Sequence, residues 1–329
     1  MARVWVLGSS NVDVTYRVET IPRPGDTVAA SECTVGTGGK GANQALAIAY
    51  WGGEVHFIGA VGDDRNGELL LAALKKGGVD ATHVEVIEGR ASGTAVVLVG
   101  ADGENSIVVH PGANQRVSPE AVRKIEFRPS DVVVAQLEVN LDAVQTLFRV
   151  ARRWGATTIL NPSPVRALGR KILAETSILI ANQHEASALG GIEVRDSESA
   201  KECALAICRA GPRGVIVTLR DQGALLYGPR ECFRVRGLKV KTVDTQGAGD
   251  AFLGSFVSRL AAGHSRADAL DFANRVAAYS VTQRGSTQKS MPARDASFLR
   301  TRNGAIKLAR ARGEHDALEG TSTRRHRRL

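Results

Sequence analysis

The sequence predicts an α/β fold of the βαβ type, on three observations. Apolar runs at residues 4–7, 55–61, 132–134, 157–160, 178–180 and 215–218 are short and continuous rather than alternating, the pattern of strands buried on both faces. Segments of helical period fill the gaps between them, at 67–76, 140–154, 197–210 and 251–262. Two stretches, 12–35 and 93–110, break the rhythm, because each is strand-like on both sides of a turn and holds no helix.

Taken in order, the strand at 4–7 runs into Gly8-Ser9-Ser10-Asn11-Val12-Asp13, a polar exit that opens the first interrupting stretch. Its turn is Arg23-Pro24-Gly25-Asp26. A glycine cluster, Gly38-Gly39-Lys40-Gly41-Ala42-Asn43-Gln44, then leads into a helix at 45–50. In the second stretch, residues 95–99 and 106–110 flank Gly100-Ala101-Asp102-Gly103-Glu104-Asn105, a hairpin signature. Both stretches are read as one small β-sheet projecting from the main domain, in the position of a lid. The strand at 132–137 ends on Glu138, and the strand at 178–180 is followed by Asn182 and Glu185, three apart on one face of a starting helix. Phe252, Leu253, Phe256, Val257 and Leu260 fall at helical spacing, so a helix opens at or just before Asp250. The reading is one domain over 1–312, with the small sheet drawn from about 12–36 and 93–111, and a polar, basic tail at 313–329 that is expected to be disordered.

Composition limits the function classes. The chain has 329 residues, 43% of them hydrophobic and 23% charged, enough for a sizeable core and unlike a disordered chain. No apolar run approaches the ~20 residues that span a bilayer, and the first ten residues do not resemble a secretory signal, so an intracellular, cytoplasmic protein is expected. Four cysteines, Cys33, Cys203, Cys208 and Cys232, form no CxxC pattern and carry no assigned chemistry. The net charge is +9, of which residues 301–329 supply eight Lys or Arg against three Asp or Glu. The remainder is mildly basic, which a phosphate-bearing substrate explains without nucleic acid.

The residues that carry chemistry sit at strand ends and helix starts. In Val243-Asp244-Thr245-Gln246-Gly247-Ala248-Gly249-Asp250, the small residues at 247–249 let backbone N–H groups approach an anion, and a helix N-terminus adds its dipole. This arrangement suits charge developing on a phosphoryl group, and Asp250 beside it can accept a proton from an attacking alcohol. A glycine-rich turn with Asp250 as an ordinary cap is the alternative. Gly39, Lys40 and Asn43 combine close backbone approach, a cation and an amide, which suits several hydroxyls or a phosphate, while the GxxxxGK[ST] spacing is absent. Asn11 and Asp13 point to the same side of an extended segment and can grip vicinal hydroxyls, with a polar turn as the alternative. Glu138 lies at the carboxyl edge of the sheet, where open α/β sheets bind ligands. Asn182 and Glu185 can hold a hydrated Mg²⁺, or can cap their own helix.

Together these residues resemble the ribokinase-like carbohydrate kinase family, over about residues 3–298. The family's two signatures are matched by Gly38-Gly39 and by Gly247-Ala248-Gly249-Asp250, and further likeness lies in GGKGANQA from Gly38, VGDDRNG from Val61, GEN from Gly103, HPGAN ending at Asn114, QLE from Gln136 and NQHE from Asn182. The resemblance implies a three-layer α/β/α domain with a mostly parallel central sheet and a β-sheet lid. It implies transfer of the ATP γ-phosphoryl group to the 5-hydroxyl of D-ribose, with Asp250 as base and Gly247, Ala248 and Gly249 as anion hole. Asn11, Asp13, Gly39, Lys40, Asn43, Glu138 and Asp250 match the sugar-contacting positions. Asn182, Thr218, Leu219, Arg220, Asp221, Gln222, Gly223, Gly249 and Asn274 match the nucleotide positions, with Glu185 in the Mg²⁺-associated motif. An activating K⁺ is implied at Asp244, Gln246, Ser280, Gln283, Gly285 and Ser290, and a homodimer through the lid strands.

Three features depart from the family pattern. Arg220 stands where glycine is usual, the run 286–290 is one residue longer, and the tail ending Arg327-Arg328-Leu329 has no counterpart. The tail's last three residues share only a basic residue and leucine with a peroxisomal address. A deoxyribose, fructose or adenosine kinase is the nearest alternative, and Lys40 with Asn43 argues for a pentose. A non-catalytic sugar- or nucleotide-binding protein is the distant one, against which a positioned base argues, since binding alone needs none.

Overall fold

The computed structural model describes residues 1–283 and 306–307. The chain starts with β1 (Arg3–Leu7), leaves for a second sheet through β2 (Asn11–Val18) and β3 (Ala30–Gly38), and returns with α1 (Lys40–Tyr50) and β4 (Glu54–Gly62). After α2 (Arg65–Lys76) and β5 (Val79–Ile87) it visits the second sheet again with β6 (Gly93–Val99) and β7 (Asn105–His110). A 3-10 turn at Gly112–Arg116 and the short α3 (Pro119–Arg123) bring it back to β8 (Val132–Ala135), α4 (Leu141–Arg153), β9 (Thr157–Leu160), α5 (Arg170–Ala174) and β10 (Ile178–Asn182). Then follow α6 (Gln183–Gly190), α7 (Ser197–Ala210), β11 (Gly214–Thr218), β12 (Gly223–Gly228), β13 (Glu231–Arg236), α8 (Ala248–Ala261), α9 (Arg266–Ser280) and β14 (Ile306–Lys307).

The main sheet has the order β14-β13-β12-β11-β10-β9-β8-β1-β4-β5. From β11 to β5 every pairing is parallel, and β12, β13 and β14 extend that sheet antiparallel. Its two faces bury alternate residues, as a pleat requires. Leu7, Val133, Ala135, Leu179, Val215 and Val217 pack with α4 and α7, whereas Val4, Val6, Val132, Val134, Ile178 and Ile216 pack with α1, α8 and α9. The continuous apolar runs of the sequence therefore mark two separate cores, one on each side, and the three-layer expectation holds.

The second sheet has the order β3-β2-β6-β7, with β2 parallel to β6 and the other pairs antiparallel. The expected hairpin turn forms, closed by Gly100 N–H to the Glu104 carbonyl at 2.9 Å. Several bounds differ from expectation. The strand foreseen at 132–137 stops at Ala135, because the Leu137 N–H turns away to the Ser163 carbonyl at 2.9 Å. The helix foreseen at or just before Asp250 does form, opening at Ala248. Neither β5, an edge strand with mixed polar residues, nor the β12–β13 hairpin nor α9 was anticipated. The foreseen tail at 313–329 lies outside the described residues.

Candidate active site

The site is built where α8 and α1 start against the carboxyl ends of the parallel strands. Gly247 takes the left-handed conformation, φ 73°, that turns the chain into α8, and it offers no side-chain cap. The Ala248 N–H reaches the Thr245 carbonyl at 3.3 Å, and the next N–H groups of the first turn, at Gly249 and Asp250, are left for a ligand. The turn is held firmly, because Phe252, Leu253, Phe256 and Val257 are buried on the sheet. No atom lies within 4 Å of where a Gly249 Cβ would stand, so this glycine is not required by the protein's own packing. It faces a cavity of about 220 Å³ lined also by Gly247, Asp250, Lys40, Asn182, Glu185 and Thr218. Asn161, Ser163 and Thr245, which the sequence did not single out, line it as well.

Asp250 is buried, 8% exposed, and both oxygens have donors: Oδ1 accepts from Gln44 Nε2 at 2.9 Å and Oδ2 from Asn43 Nδ2 at 3.3 Å. Burial pushes its carboxyl above the ordinary range, the Lys40 ammonium and the two amides oppose this, and Glu138 adds to it. A carboxylate of raised pKa is a stronger base. For Lys40, burial alone would favour the neutral amine, but Asp250, Glu138 and Glu185 outweigh it and hold the ammonium above its ordinary range.

Asn11 and Asp13 stand at the start of β2, where the chain passes into the second sheet. Asn11 is fixed by Asn114, which is 1% exposed and donates to Asn11 Oδ1 at 2.8 Å while its own Oδ1 accepts from Ser10 N–H at 2.9 Å. The Asn11 amide is thus oriented with its NH₂ left as the donor. Asp13 Oδ1 is buried with no hydrogen-bond partner. Burial, then the Glu138 and Asp250 carboxylates, push the Asp13 carboxyl up to about 6. A Cβ at Gly38 would lie 1.9 Å from Asp13 Oδ2, so any larger residue there would displace the carboxylate. Gly39 takes φ 87° at the start of α1, where a Cβ would strike Ser9, Ser10 and Asn11. Glu138 Oε2 accepts from the Lys40 N–H at 3.1 Å and from the Ser9 hydroxyl, so this carboxylate occupies the N-terminus of α1.

On the nucleotide side, Asn182 and Glu185 form a reciprocal capping box: Glu185 N–H to Asn182 Oδ1 at 2.9 Å and Asn182 N–H to Glu185 Oε2 at 3.0 Å. The capping alternative is therefore realised, and the same pair lines the cavity. In the 218–223 loop the Leu219 side chain is fully buried in the core, and its carbonyl accepts from the Gln222 N–H at 3.0 Å. Arg220 is held at φ 53°, which explains glycine as the usual residue there. It faces a separate depression with Gln183 and His184 rather than the Asp250 cavity, and Gln222 Nε2 is spent on the Arg195 carbonyl at 3.0 Å. Asp221 is exposed, and Gly223, φ 98°, closes the loop onto Leu219 N–H at 2.7 Å. Asn274 donates to the Arg236 carbonyl at 2.9 Å and does not line the cavity.

The N–H groups of Val243 and Asp244 both reach the Val281 carbonyl, at 2.7 and 3.2 Å, and Asp244 Oδ1 accepts from Gln246 N–H at 2.9 Å. Asp244, Gln246, Ser280 and Gln283 are thereby gathered beside the start of α8. Gly285, Ser290 and the 286–290 run lie outside the described residues.

Sequence reasoning missed the residues that support these groups. Gln44, Gln136 and Asn114 lie inside quoted motifs and Asn161 just after a strand, and only their burial and hydrogen bonds in the fold reveal that they act as holders. Asp64, from VGDDRNG, caps α2 through Gly67 N–H at 2.8 Å and accepts from Ser92 N–H at 2.9 Å, tying α2 to the start of β6.

Comparison with known proteins adds an independent line. The pfkB family of carbohydrate kinases matches residues 1–294. A ribokinase of Staphylococcus aureus is 37% identical over 294 residues, 88% of this chain and 96% of that one, and a deoxyribokinase of Salmonella typhi is 33% identical over 290 residues, 87% and 94%. The structure of Arabidopsis thaliana ribokinase complexed with ribose and ATP superposes with a TM-score of 0.81 at 30% identity, over 91% of this chain and 98% of that one. Matched along nearly its whole described length in both sequence and fold, the chain belongs to the pfkB family of carbohydrate kinases.

Proposed function

We propose that the chain is a ribokinase, transferring the γ-phosphoryl group of ATP to the 5-hydroxyl of D-ribose to give D-ribose 5-phosphate and ADP. The observation that carries this is Asp250, a buried carboxylate on the first turn of α8, sharing one cavity with Gly247, Gly249, Asn182 and Thr218. The S. aureus and A. thaliana relatives support ribose and ATP. So does the charge pattern: Asp13 feels the Glu138 and Asp250 carboxylates, which also act on the Lys40 ammonium. Carboxylates grouped in this way ask for hydroxyl donors, as a neutral polyol offers.

In this reading Asn11 donates to the sugar while Asp13, with its unpaired Oδ1, accepts from it, joined by Asn43, Lys40 and the Gly39 backbone. Proton transfer from the 5-hydroxyl to Asp250 accompanies formation of the new O–P bond and cleavage of the bond to ADP. The N–H groups at 247–249 meet the charge on the transferring phosphoryl group. Asn182, Thr218 and the 218–223 backbone face the nucleotide. Glu185 would hold Mg²⁺ through water; a carboxylate at the cavity wall fits a metal that keeps most of its waters and binds mainly phosphates. That ion would neutralise phosphate charge. Asp244, Gln246, Ser280 and Gln283 form the described part of a K⁺ site, and exchange of K⁺ for Na⁺ should lower turnover. The exposed Val35, Ile107, Val108 and Val109 of the second sheet favour a homodimer through the lid, measurable by sedimentation. No helix among the described residues is long and apolar enough to cross a membrane.

ADP release measured across ribose, deoxyribose, fructose and adenosine tests the substrate. The highest kcat/KM should fall on ribose, and a preference for deoxyribose would replace this reading by its nearest alternative. Asp250→Asn should cut kcat by about 10²- to 10⁴-fold with little change in ATP KM.

A further inference from the structure

Behind Asp250 lies a chain of amides whose hydrogen bonds fix the orientation of Gln44. Asn161 Nδ2 donates to the Ile180 carbonyl at 3.1 Å, which turns Asn161 Oδ1 towards Gln44. Gln44 Nε2 donates to that oxygen at 3.1 Å and to Asp250 Oδ1 at 2.9 Å. Its own Oε1 accepts from Gln136 Nε2 at 2.6 Å. Flipping the Gln44 amide would set two donors face to face at Gln136 and acceptors face to face at Asp250 and Asn161. Both glutamines are fully buried, so no water relieves such a clash. Gly8 makes room for the arrangement, since a Cβ there would lie 2.2 Å from Gln136 Oε1.

The two oxygens of Asp250 are thus unequal. Oδ1 is held at 2.9 Å by a buried amide whose remaining bonds, to Asn161 and Gln136, fix its orientation, whereas Oδ2 is held at 3.3 Å by Asn43, a side chain at the sugar site. We propose that Gln44 is the positioning residue of the base: it locks Oδ1 of Asp250, so that Oδ2 is the oxygen that takes the proton of the sugar hydroxyl. This rests on the reading of Asp250 as base. As substrate arrives, the Asn43 NH₂ exchanges its hydrogen bond to Asp250 Oδ2 for one to a sugar oxygen. The hydroxyl O–H bond breaks towards Oδ2 as the O–P bond forms, and the bond to ADP breaks.

The charged groups that face Asp250 are Lys40 on α1, Glu138 after β8 and Asp13 on β2. None of them is altered by a change at Gln44. Removing a donor that favours the ionised carboxylate raises its pKa, so the base ionises only at higher pH. Gln44→Met keeps the shape and loses the bond. It should lower kcat about tenfold and move the acid limb of kcat/KM for ribose up by about one pH unit, with ATP KM unchanged. Gln136→Met, which removes the donor that holds Gln44 Oε1, should do the same to a smaller extent and serves if the first variant does not fold. Melting temperatures separate folding from catalysis: a variant whose loss of rate follows its folded fraction while the acid limb stays in place overturns the proposal. Asp250→Asn is measured alongside. If it keeps the rate, the base reading itself fails; if it is inactive and neither glutamine variant moves the acid limb, only the role of Gln44 fails.

Discussion

Asp13→Asn separates what the sugar site costs the fold from what it does for the substrate. Burial, followed by the Glu138 and Asp250 carboxylates, moves the Asp13 carboxyl from an ordinary 3.8 up to about 6. A folded-state value above the unfolded one means that the native protein holds the proton more tightly. The charged carboxylate therefore destabilises the fold above the folded value, the penalty fades between the two values, and it is absent below the unfolded one. A shift of about two units corresponds to about 3 kcal/mol. Spread over the unfolding entropy of a chain of this length, that is about 4 °C in melting temperature. The amide keeps the shape without the charge, so the variant should melt up to about 4 °C above the parent near pH 8 and level with it near pH 4. At the same time the acceptor for a sugar hydroxyl is lost, and KM for ribose should rise about tenfold or more while ATP KM holds. Scanning calorimetry at the two pH values, with steady-state kinetics at the higher, tests both halves. A Tm difference independent of pH, or a loss of Tm near pH 8, would show that the carboxylate is satisfied in the native state and would refute the reasoning.

Gly249→Ala places a methyl in open space at the anion hole, and helical propensity favours Ala by about 1 kcal/mol. Stability should hold or rise while kcat falls about 10²-fold, and an unchanged kcat would remove Gly249 from the phosphoryl site. Arg220→Gly relieves a left-handed residue at φ 53°, a conformation that costs a side-chain-bearing residue about 1 to 2 kcal/mol. Urea denaturation should show a gain of about 1 kcal/mol, and a loss would mean that the Arg220 side chain contributes contacts that outweigh the strain.

Much of the site was legible because its signals are local. The glycines at 38–39 and 247–249 announce turns that only small residues can make, and the apolar spacing from Phe252 announces the helix behind them. The parallel core of the sheet could be read from continuous apolar runs, since both faces are covered. The antiparallel extension β12–β13–β14 and the edge strand β5 could not, because their residues are chosen by neighbours that local period does not identify. Nor could the reciprocal cap of Asn182 and Glu185 be told from a metal-holding pair, as the same i, i+3 spacing serves both.

By itself, then, the sequence determined the βαβ class, the places where helices start at strand ends, and the residue types able to grip a polyol and receive its proton. Tertiary structure alone decided how those groups are tuned. Gln44 meets Asp250 across 206 positions and Asn114 meets Asn11 across 103. The raised carboxyl of Asp13 comes from burial and from two distant carboxylates. Period and turn chemistry act over a few residues, whereas desolvation, charge pairing and amide orientation depend on which distant side chains the packed core brings within a few ångströms.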